Sequence, residues 1–242
     1  MKIFGLIGKN IDYSFSRNYF NTKFESEKIN DCNYINFDIP KIEDIKLVFE
    51  KQNQGYNVTI PYKESIIPFL DKLDNDAQEI GAVNTIKIHT DGTLEGFNTD
   101  FYGFYKSLKP LLKTHHKKAL ILGTGGASKA VAFALKKLNI EYLFVSRNPK
   151  VNEISYNEIS KKTFEEATII INTTPIGTFP DVENSPDIPY SYFTENHIAY
   201  DLIYNPGETK FLQKAKEKKA ITINGFEMLV FQAEKAWEIW NS

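Results

Sequence analysis

Amides, hydroxyls, one lysine and one acid recur in the first hundred residues where predicted strands end. Asn57 and Thr59 lie two residues apart in a predicted strand, so their side chains share one face, and Lys63 follows just beyond a proline. An ammonium group at such a point can stabilise negative charge that develops on a substrate oxygen. Asp100 follows another predicted strand and could orient that ammonium. Taken singly, Asp100 could equally be a helix cap and Lys63 a solvated surface charge.

Two serines near the N-terminus are spaced so that they could bind a carboxylate. Ser14 and Ser16 are two residues apart, and in an extended segment both hydroxyls would face the same side. Hydroxyl donors on one side can hold a carboxylate, which accepts hydrogen bonds at both oxygens. The alternative is a serine-capped helix start, because Ser16 precedes apolar residues at helical spacing over 19–24. The residues alone leave both interpretations open.

A glycine-rich turn joins a predicted strand to a predicted helix in the second half of the chain. The apolar strand over 119–122 runs into Gly123-Thr124-Gly125-Gly126-Ala127, and a helix is predicted over 128–138. Glycines permit a tight turn and let backbone N–H groups approach a pyrophosphate, while the helix N-terminus favours negative charge. Since the strand, turn and helix that the motif requires are all present, the sequence predicts a dinucleotide site.

The strand predicted over 142–145 ends at Ser146-Arg147-Asn148, which gives an indication of the cofactor. Arg147 lies 147 − 123 = 24 positions after Gly123, close to the offset at which an acidic residue binds the ribose 2′-hydroxyl in NAD enzymes. Arginine is rare here, with two among 29 basic residues. A guanidinium suits a 2′-phosphate through paired, charge-assisted hydrogen bonds. The position therefore favours NADP over NAD, and over a solvated surface arginine.

Hydrophobic periodicity places these residues on two successive α/β segments. Before residue 100 we predict strands over 2–7, 34–37, 55–60, 85–89 and 93–98, and a helix over 62–70. After it, strands over 119–122, 142–145, 168–172, 198–203 and 220–223 alternate with helices. Such alternation is typical of a parallel sheet with helices on both faces. The last segment, 228–240, is an amphipathic helix.

Composition excludes several classes of protein. With 242 residues, 42% apolar and 25% charged, the chain is an ordinary globular one with room for one or two domains. Its net charge of 29 − 31 = −2 argues against nucleic-acid binding, and no apolar run approaches the ~18 to 20 residues of a membrane helix. The single cysteine, Cys32, favours a reducing compartment. We expect a soluble cytoplasmic protein, monomer or homodimer, acting on a small molecule without nucleic-acid or membrane partners.

Nearly from end to end, the chain resembles shikimate dehydrogenases. The motifs that carry the resemblance are Ser14-Phe15-Ser16, Asn57-Val58-Thr59-Ile60-Pro61-Tyr62-Lys63-Glu64, Gly81–Thr85, Asn98-Thr99-Asp100, Gly123–Ala127, Asn172–Gly177, Tyr200–Tyr204 and Gly225–Gln232. It implies NADPH-linked reduction of 3-dehydroshikimate to shikimate, in the pathway to aromatic amino acids. It also implies two α/β domains: a substrate domain of residues 1–102 completed by 225–242, and a Rossmann-type NADP domain of residues 103–224.

The resemblance also implies a role for each matched residue. Lys63 and Asp100 would be the catalytic pair, with no metal. Ser14 and Ser16 would hold the substrate carboxylate, and the remaining substrate contacts would be Asn57, Thr59, Asn84, Tyr204 and Gln232. The NADP-binding residues would be Gly123, Gly125, Gly126, Ala127, Ser146, Arg147, Asn148, Thr173, Leu202 and Gly225.

The chain departs from the family pattern at two places. Arg17 occupies the position after the second serine, where the family commonly has proline, and Ser146-Arg147-Asn148 replaces the common Asn-Arg-Thr while keeping the arginine. Two other functions are alternatives: an NAD-linked quinate/shikimate dehydrogenase, and a catalytically silent NADP-binding sensor on the same fold. The serine pair and Arg147 argue against the first, and the intact Lys63 and Asp100 argue against the second.

Overall fold

A computed structural model describes residues 1–12, 14–51 and 53–242, which divide into two compact units. Residues 1–100 together with 232–242 form the first unit, and residues 101–231 form the second. Each unit contains its own six-stranded sheet, with helices packed against it. The chain therefore has the α/β architecture that the alternation of strands and helices predicts.

The strands and helices are as follows. The strands are β1 (Lys2–Gly8), β2 (Cys32–Asp38), β3 (Gly55–Val58), β4 (Lys72–Leu73), β5 (Thr85–Ile88), β6 (Leu94–Phe97), β7 (Lys118–Leu122), β8 (Glu141–Val145), β9 (Glu153–Ile154), β10 (Ile169–Asn172), β11 (Ile198–Asp201) and β12 (Ile221–Ile223). The helices are α1 (Phe15–Ser26), α2 (Ile45–Phe49), α3 (Asn75–Ile80), α4 (Asp100–Leu108), α5 (Gly126–Lys137), α6 (Lys161–Glu166), α7 (Lys210–Lys216) and α8 (Phe226–Trp240).

The sheet of the first unit is mixed, in the order β2-β1-β3-β5-β6-β4. Strand β1 pairs in parallel with β2 and β3, while β5 runs antiparallel to both β3 and β6. This register sets Asn57 of β3 opposite Thr85 of β5, and Thr85 opposite Phe97 of β6. The polar residues that flank these strands are thereby brought to one region of the sheet.

Aromatic packing holds the end of the C-terminal helix α8 to the first unit. Ala233, Ala236 and Trp240 share a core cluster with Phe4 and Phe20. The Trp240 indole N–H also donates to the Ile86 carbonyl at 3.0 Å, and a Cβ at Gly55 would overlap the indole ring. The later apolar residues of the stripe predicted over 228–240 therefore pack on β1 and α1. This packing holds the C-terminal residues against the N-terminal strand and helix.

One predicted element of the first unit is wrong. The segment predicted as a helix over 62–70 consists of turns with a short 3₁₀ helix at Ile67–Phe69. Pro68 lacks the N–H that a continuing helix would need, and the Lys63 carbonyl accepts its hydrogen bond from Val83 N at 2.7 Å instead of from a later helical turn. Because no continuous helix forms here, Lys63 lies on a turn that is hydrogen-bonded to the segment before β5.

All strands of the second unit are parallel, in the order β12-β11-β10-β7-β8-β9. From β7 the chain moves outward to β9, then returns to β10 and moves outward the other way to β12. The order therefore reverses between β7 and β10, and in such sheets ligands bind beyond the carboxyl ends of the strands at that point. Separate apolar clusters cover the two faces, including Ile121 and Ile171 on one and Leu120 and Ile170 on the other.

Two buried histidines fasten loops at the opposite, amino edge of this sheet. His116 accepts Lys113 N at Nδ1 (2.9 Å) and donates from Nε2 to the Asn196 carbonyl (3.1 Å). His197 accepts Thr194 N at Nδ1 (3.1 Å) and donates from Nε2 to the Phe164 carbonyl (3.0 Å). A ring that accepts at one nitrogen and donates at the other is neutral. Burial accordingly lowers the pKa of both imidazoles below 6.5.

These histidines should make the protein less stable in acid. Their pKa values are lower in the folded than in the unfolded chain, so the unfolded chain binds more protons once the pH falls below about 6.5. Stability present above that pH is therefore lost as the pH falls further. Urea unfolding at neutral and mildly acidic pH should show a smaller acid loss in a His116→Gln, His197→Gln double variant than in the wild type. Equal losses would contradict this assignment.

Candidate active site

Lys63 and Asp100, predicted as a catalytic pair, are in direct contact in the first unit. The Lys63 ammonium lies 2.6 Å from Asp100 Oδ2. The Asp100 side chain is 5% exposed and that of Lys63 is 16% exposed, so the carboxylate is enclosed while the lysine side chain is partly accessible. An ammonium has three donors. Asp100 therefore holds the Lys63 ammonium through one hydrogen bond, and the other donors of the ammonium could bind a substrate.

Backbone hydrogen bonds bring together the segments that carry this pair. Lys63 stands on the turn after β3, where its carbonyl accepts from Val83 N, and the neighbouring Tyr62 hydroxyl donates to the Ile39 carbonyl at 2.7 Å. Asp100 is the first residue of α4, three positions after the end of β6 at Phe97. Asn84 N donates to the Phe97 carbonyl at 3.0 Å, which joins the segment before β5 to the end of β6. Three chain segments thus converge on one point.

Asn84 orients the Asp100 carboxylate. Its Oδ1 accepts Thr99 N at 2.6 Å, and because a backbone N–H can only donate, this contact fixes which way the amide faces. The Nδ2 group is then directed at Asp100 Oδ1 (2.9 Å) and at Gln232 Oε1 (3.1 Å). Asp100 is therefore held through both oxygens, one by Asn84 and one by Lys63, and Gln232 of α8 belongs to the same hydrogen-bonded cluster.

A buried chain of side-chain hydrogen bonds continues from this cluster towards the serines. The Thr85 hydroxyl lies 3.2 Å from that of Thr99 and accepts from Asn57 Nδ2 at 3.1 Å. Asn57 Oδ1 in turn accepts from the Tyr34 hydroxyl at 2.7 Å, and the Ser16 side chain also bonds to that hydroxyl. Burial raises the pKa of Tyr34 well above its usual range, so its hydroxyl stays a donor. Sequence reasoning missed Tyr34, Thr85 and Thr99 as members of this network.

Of the two interpretations left open for the serines, the structure has the helix start, although the capping residue is Ser14. Helix α1 begins at Phe15, so Ser14 and Ser16 do not lie on an extended segment with both hydroxyls on one side. Ser14 is the N-cap, and its hydroxyl accepts Arg17 N at 3.4 Å. The Arg17 guanidinium donates to the Asp12 carbonyl at 2.9 Å. Both serines nevertheless stand at the first turn of a twelve-residue helix, whose N-terminus favours an anion.

The remaining predicted substrate contacts lie at the ends of strands. Thr59 directly follows β3, is half-buried, and donates its N–H to the Ile7 carbonyl at 2.9 Å. Tyr204 belongs to the second unit, where it is half-buried in the loop after β11. The assignment of these two residues to the substrate rests on the family resemblance.

The glycine-rich turn of the second unit has the conformation that a pyrophosphate needs. Gly123 has φ +100°, which L side chains rarely adopt, and a Cβ there would press on Thr174. Gly125 is the N-cap of α5, and a Cβ at that position would meet open space within 4 Å. Among the described residues no atom would crowd a side chain at position 125, which leaves space for the close approach of a ligand. Gly126 and Ala127 form the first turn of α5, where unpaired N–H groups point outward.

The segment after β8 lies beside this turn. Gly123 N donates to the Val145 carbonyl at 2.9 Å, which puts Arg147 two residues beyond a contact with the glycine turn. Ser146 is buried and its hydroxyl accepts Asn148 N at 3.2 Å, so this short turn is ordered. The Arg147 side chain is exposed. An exposed guanidinium on an ordered turn beside the glycines fits the 2′-phosphate of NADP.

Three further predicted cofactor residues line the same carboxyl edge of the sheet. The Thr173 hydroxyl donates to the Leu122 carbonyl at 2.7 Å, which links the ends of β10 and β7. Gly225 N donates to the Ile203 carbonyl at 3.0 Å. A Cβ at Gly225 would overlap the Leu202 carbonyl, so only glycine fits there. The predicted cofactor residues thus surround the point at which the strand order reverses.

Within the described ranges 1–12, 14–51 and 53–242, no group of three or more His, Cys, Asp or Glu side chains is arranged to hold a metal ion. Among these same residues there is also no helix with the length and apolar character that crossing a membrane requires.

The second unit has the strand order and glycine turn of a Rossmann-type dinucleotide-binding domain, and comparison with known proteins extends this to the whole chain. The family profile described as shikimate dehydrogenase substrate binding domain matches residues 6–86. A protein named shikimate dehydrogenase (NADP(+)) from Methanococcus maripaludis is 41% identical, over 99% of this chain and 91% of the relative.

Solved structures give the same result. A shikimate dehydrogenase crystallised in complex with NADP+ has a TM-score of 0.88 at 38% identity, covering 99% of this chain and 90% of the other. A shikimate 5-dehydrogenase from Thermus thermophilus, solved with NADP(H) and shikimate, has a TM-score of 0.87 at 33% identity, covering 99% of this chain and 93% of the other. The chain belongs to the shikimate dehydrogenase family. The predicted fold class and family are thereby confirmed.

Proposed function

We propose that this protein catalyses the reversible, NADPH-dependent reduction of 3-dehydroshikimate to shikimate, in the biosynthesis of chorismate and the aromatic amino acids. The observation that carries the proposal is the Lys63–Asp100 contact of 2.6 Å, held by Asn84 within a buried polar network. The names of the related proteins, shikimate dehydrogenase (NADP(+)), support the same reaction and cofactor.

In this reaction Lys63 and Asp100 are the catalytic residues. NADPH, when bound, supplies the hydride that adds to the ketone carbon of the substrate. Lys63 donates a hydrogen bond to the ketone oxygen, stabilises the negative charge that develops there, and is placed to donate a proton to it. Asp100 fixes the direction of the ammonium through Oδ2, while Asn84 holds Oδ1 so that the carboxylate cannot rotate. Charge stabilisation of this kind needs no metal.

Residues of the first unit bind the substrate, and the family resemblance adds Tyr204 as a proposed substrate contact. Ser14 and Ser16 bind the substrate carboxylate at the N-terminus of α1. The other contacts are with the hydroxyl and ring oxygens of the substrate, through Asn57, Thr59, Asn84 and Gln232. The buried network from Ser16 to Asp100 supports this assignment, because it ties the carboxylate end of the site to the reacting end.

The cofactor is bound by the second unit. Gly123, Gly125, Gly126 and Ala127 hold the pyrophosphate, Ser146, Arg147 and Asn148 bind the 2′-phosphate side, and Thr173, Leu202 and Gly225 line the nicotinamide side. We accordingly assign residues 1–102 and 225–242 to a substrate domain and 103–224 to an NADP domain. The boundaries of the compact units at Asp100 and Gln232 lie 102 − 100 = 2 and 232 − 225 = 7 residues from these limits. A cytoplasmic location, and a monomeric or homodimeric state, complete the proposal.

Alanine at Ser14 or Ser16 should weaken substrate binding selectively. Each variant loses a hydroxyl hydrogen bond to the carboxylate, so KM for shikimate should rise about tenfold while the Kd for NADP+ stays unchanged. Ser14→Ala should in addition lower the free energy of unfolding by about 1 kcal/mol, because it removes the N-cap of α1. Steady-state kinetics, cofactor titration and urea unfolding measure these effects.

Ser26→Ala is the matched control for the serine variants, because Ser26 lies in the last turn of the same helix and is exposed. It should leave KM unchanged. Loss of NADP+ affinity equal to the loss of shikimate affinity in the Ser14 and Ser16 variants would show that these serines do not act on the substrate.

Product formation tests the proposed function and separates it from that of a silent sensor. The wild-type protein, incubated with NADPH and 3-dehydroshikimate, should consume the two in equal amounts and form shikimate, identified by chromatography. A protein that binds NADPH and shikimate but forms no product over many hours would be a sensor, and the proposed reaction would be wrong.

A further inference from the structure

A buried carboxylate in the second unit has no part in the chemistry described above. Asp201 is the last residue of β11 and its exposed fraction is 0%. Burying an acid is costly unless hydrogen bonds replace its water. Three donors do so: Asn172 Nδ2 at 3.0 Å, Ile203 N at 3.1 Å and the Thr209 hydroxyl at 2.6 Å. The site is therefore built around this one side chain.

Each donor belongs to a different piece of the carboxyl edge of the sheet. Asn172 ends β10 and stands directly opposite Asp201 in the register of the two strands. Its Oδ1 accepts both the N–H and the hydroxyl of Thr174, at 3.0 and 2.6 Å, so the amide also shapes the loop after β10. Thr209 is the N-cap of α7. Asp201 consequently ties together the loop after β10, the loop after β11 and the start of α7.

Two residues assigned to the nicotinamide side, Thr173 and Leu202, are neighbours in the chain of residues in this hydrogen-bond network. Thr173 is flanked by Asn172 and Thr174, both of which belong to the Asp201 network. Leu202 is flanked by Asp201 and Ile203, which bond to each other across it. The chain on both sides of Thr173 and of Leu202 is thus held by a network that centres on the Asp201 carboxylate.

We propose that Asp201 is a positioning residue, which holds the loops after β10 and β11 in the conformation that binds the nicotinamide half of the cofactor. This inference rests on the proposed function, because it takes NADP(H) as the ligand. It assigns no contact between Asp201 and the cofactor, since the side chain is enclosed. Its effect is on the loops that carry Thr173 and Leu202.

Hydrogen-bond geometry, more than charge, is what this role requires. Burial raises the pKa of Asp201 to about 6, because the charged form loses hydration that the three donors only partly replace. A neutral side chain of the same shape satisfies the same partners: an asparagine can accept from Asn172 and Ile203 N and donate to the Thr209 oxygen. The conservative variant should therefore rescue what an alanine variant loses.

The experiment compares Asp201→Ala and Asp201→Asn, with Asp187→Asn as an exposed control in the same unit. Binding is measured by fluorescence titration with two ligands: NADPH, and 2′,5′-ADP, which has the adenosine half and its 2′-phosphate but no nicotinamide. Asp201→Ala should raise the Kd for NADPH about tenfold and leave that for 2′,5′-ADP unchanged. Asp201→Asn and the control should bind both ligands as the wild type does.

Several results would overturn the inference. These are an unchanged Kd for NADPH in Asp201→Ala, equal weakening of NADPH and 2′,5′-ADP, or failure of asparagine to rescue. If Asp201→Ala does not fold, Thr209→Val removes one donor only and should raise the Kd for NADPH about threefold without affecting 2′,5′-ADP; an unchanged Kd for NADPH there would also refute it. Failure of the proposed function looks different, because the wild type itself would then bind NADPH without reducing 3-dehydroshikimate.

Discussion

Replacing Lys63 by alanine should lower kcat for shikimate oxidation by about 10² to 10³, the usual cost of removing one donor that acts on charge formed in the transition state. KM for shikimate should change much less, because the serines, Thr59 and Gln232 still bind the ground state. The structure gives this expectation a specific basis: Asp100 holds the ammonium at 2.6 Å, and the lysine side chain is partly exposed. Steady-state rates at saturating NADP+ measure the effect.

Matched variants separate the role of charge from that of bulk and fold. Lys63→Met keeps much of the aliphatic stem and should be as slow as the alanine variant. Lys46→Ala removes an exposed lysine from α2 in the same unit and should keep the wild-type kcat. A Lys63→Ala enzyme with a near-normal kcat would establish that this residue is an ordinary surface charge.

Asp100→Asn completes this test, because Asp100 acts partly through Lys63. We expect the single variant to be slow and to bind shikimate more weakly. The double variant should be little slower than Lys63→Ala, since residues that work as a unit are not additive. Fully additive losses would mean that the contact between the two groups is not what orients the lysine.

Arg147→Ala should weaken NADPH binding by about 1.5 to 3 kcal/mol, which is roughly 10- to 150-fold, through loss of charge-assisted hydrogen bonds to the 2′-phosphate. KM for NADPH should rise much more than kcat falls, while KM for NADH stays constant. Arg147→Lys keeps the charge without the planar fork and should recover only part of the affinity. Kinetics with both cofactors measure the change in preference.

The control for Arg147 is Lys117→Ala, an exposed cation at the amino end of β7, away from the carboxyl edge. It should leave the preference for NADPH unaltered. If the ratio of kcat/KM with NADPH to kcat/KM with NADH were the same in Arg147→Ala as in the wild type, Arg147 would not bind the 2′-phosphate. The NAD-linked alternative would then gain support.

The sheet of the second unit could be predicted because its central strands β7, β10 and β11 are buried and therefore read as continuous apolar runs between glycine and helical signals. The local conformation of two segments, residues 62–70 and the serine pair, was harder to predict from the sequence. Apolar residues near 62–70 imitate a helix, although Pro68 and the Val83 hydrogen bond exclude one. The serine pair gave a two-residue spacing that an extended segment and a helix start share, and only the structure places Ser14 at the N-cap.

In the candidate site, contacts between residues far apart in the chain could not be predicted from local sequence patterns. Asn84 and Gln232 lie 148 positions apart and meet at 3.1 Å, a contact that no local pattern specifies and that entered the prediction through family motifs. Tyr34 and Thr85 were missed because buried hydroxyls inside strands look like ordinary strand residues. Asp201 was missed for a related reason: at the end of an apolar strand an acid reads as a solvated terminus, whereas here it is fully enclosed.

The most direct test of the account is the catalytic efficiency, kcat/KM, of the wild-type protein with shikimate or quinate as substrate and NADP+ or NAD+ as cofactor, followed by the absorbance of the reduced nicotinamide. The serine pair, the Lys63–Asp100 contact and Arg147 together predict the highest kcat/KM for shikimate with NADP+, and a decrease when either partner is exchanged. Equal or higher efficiency with quinate and NAD+, or no turnover in any combination, would contradict it.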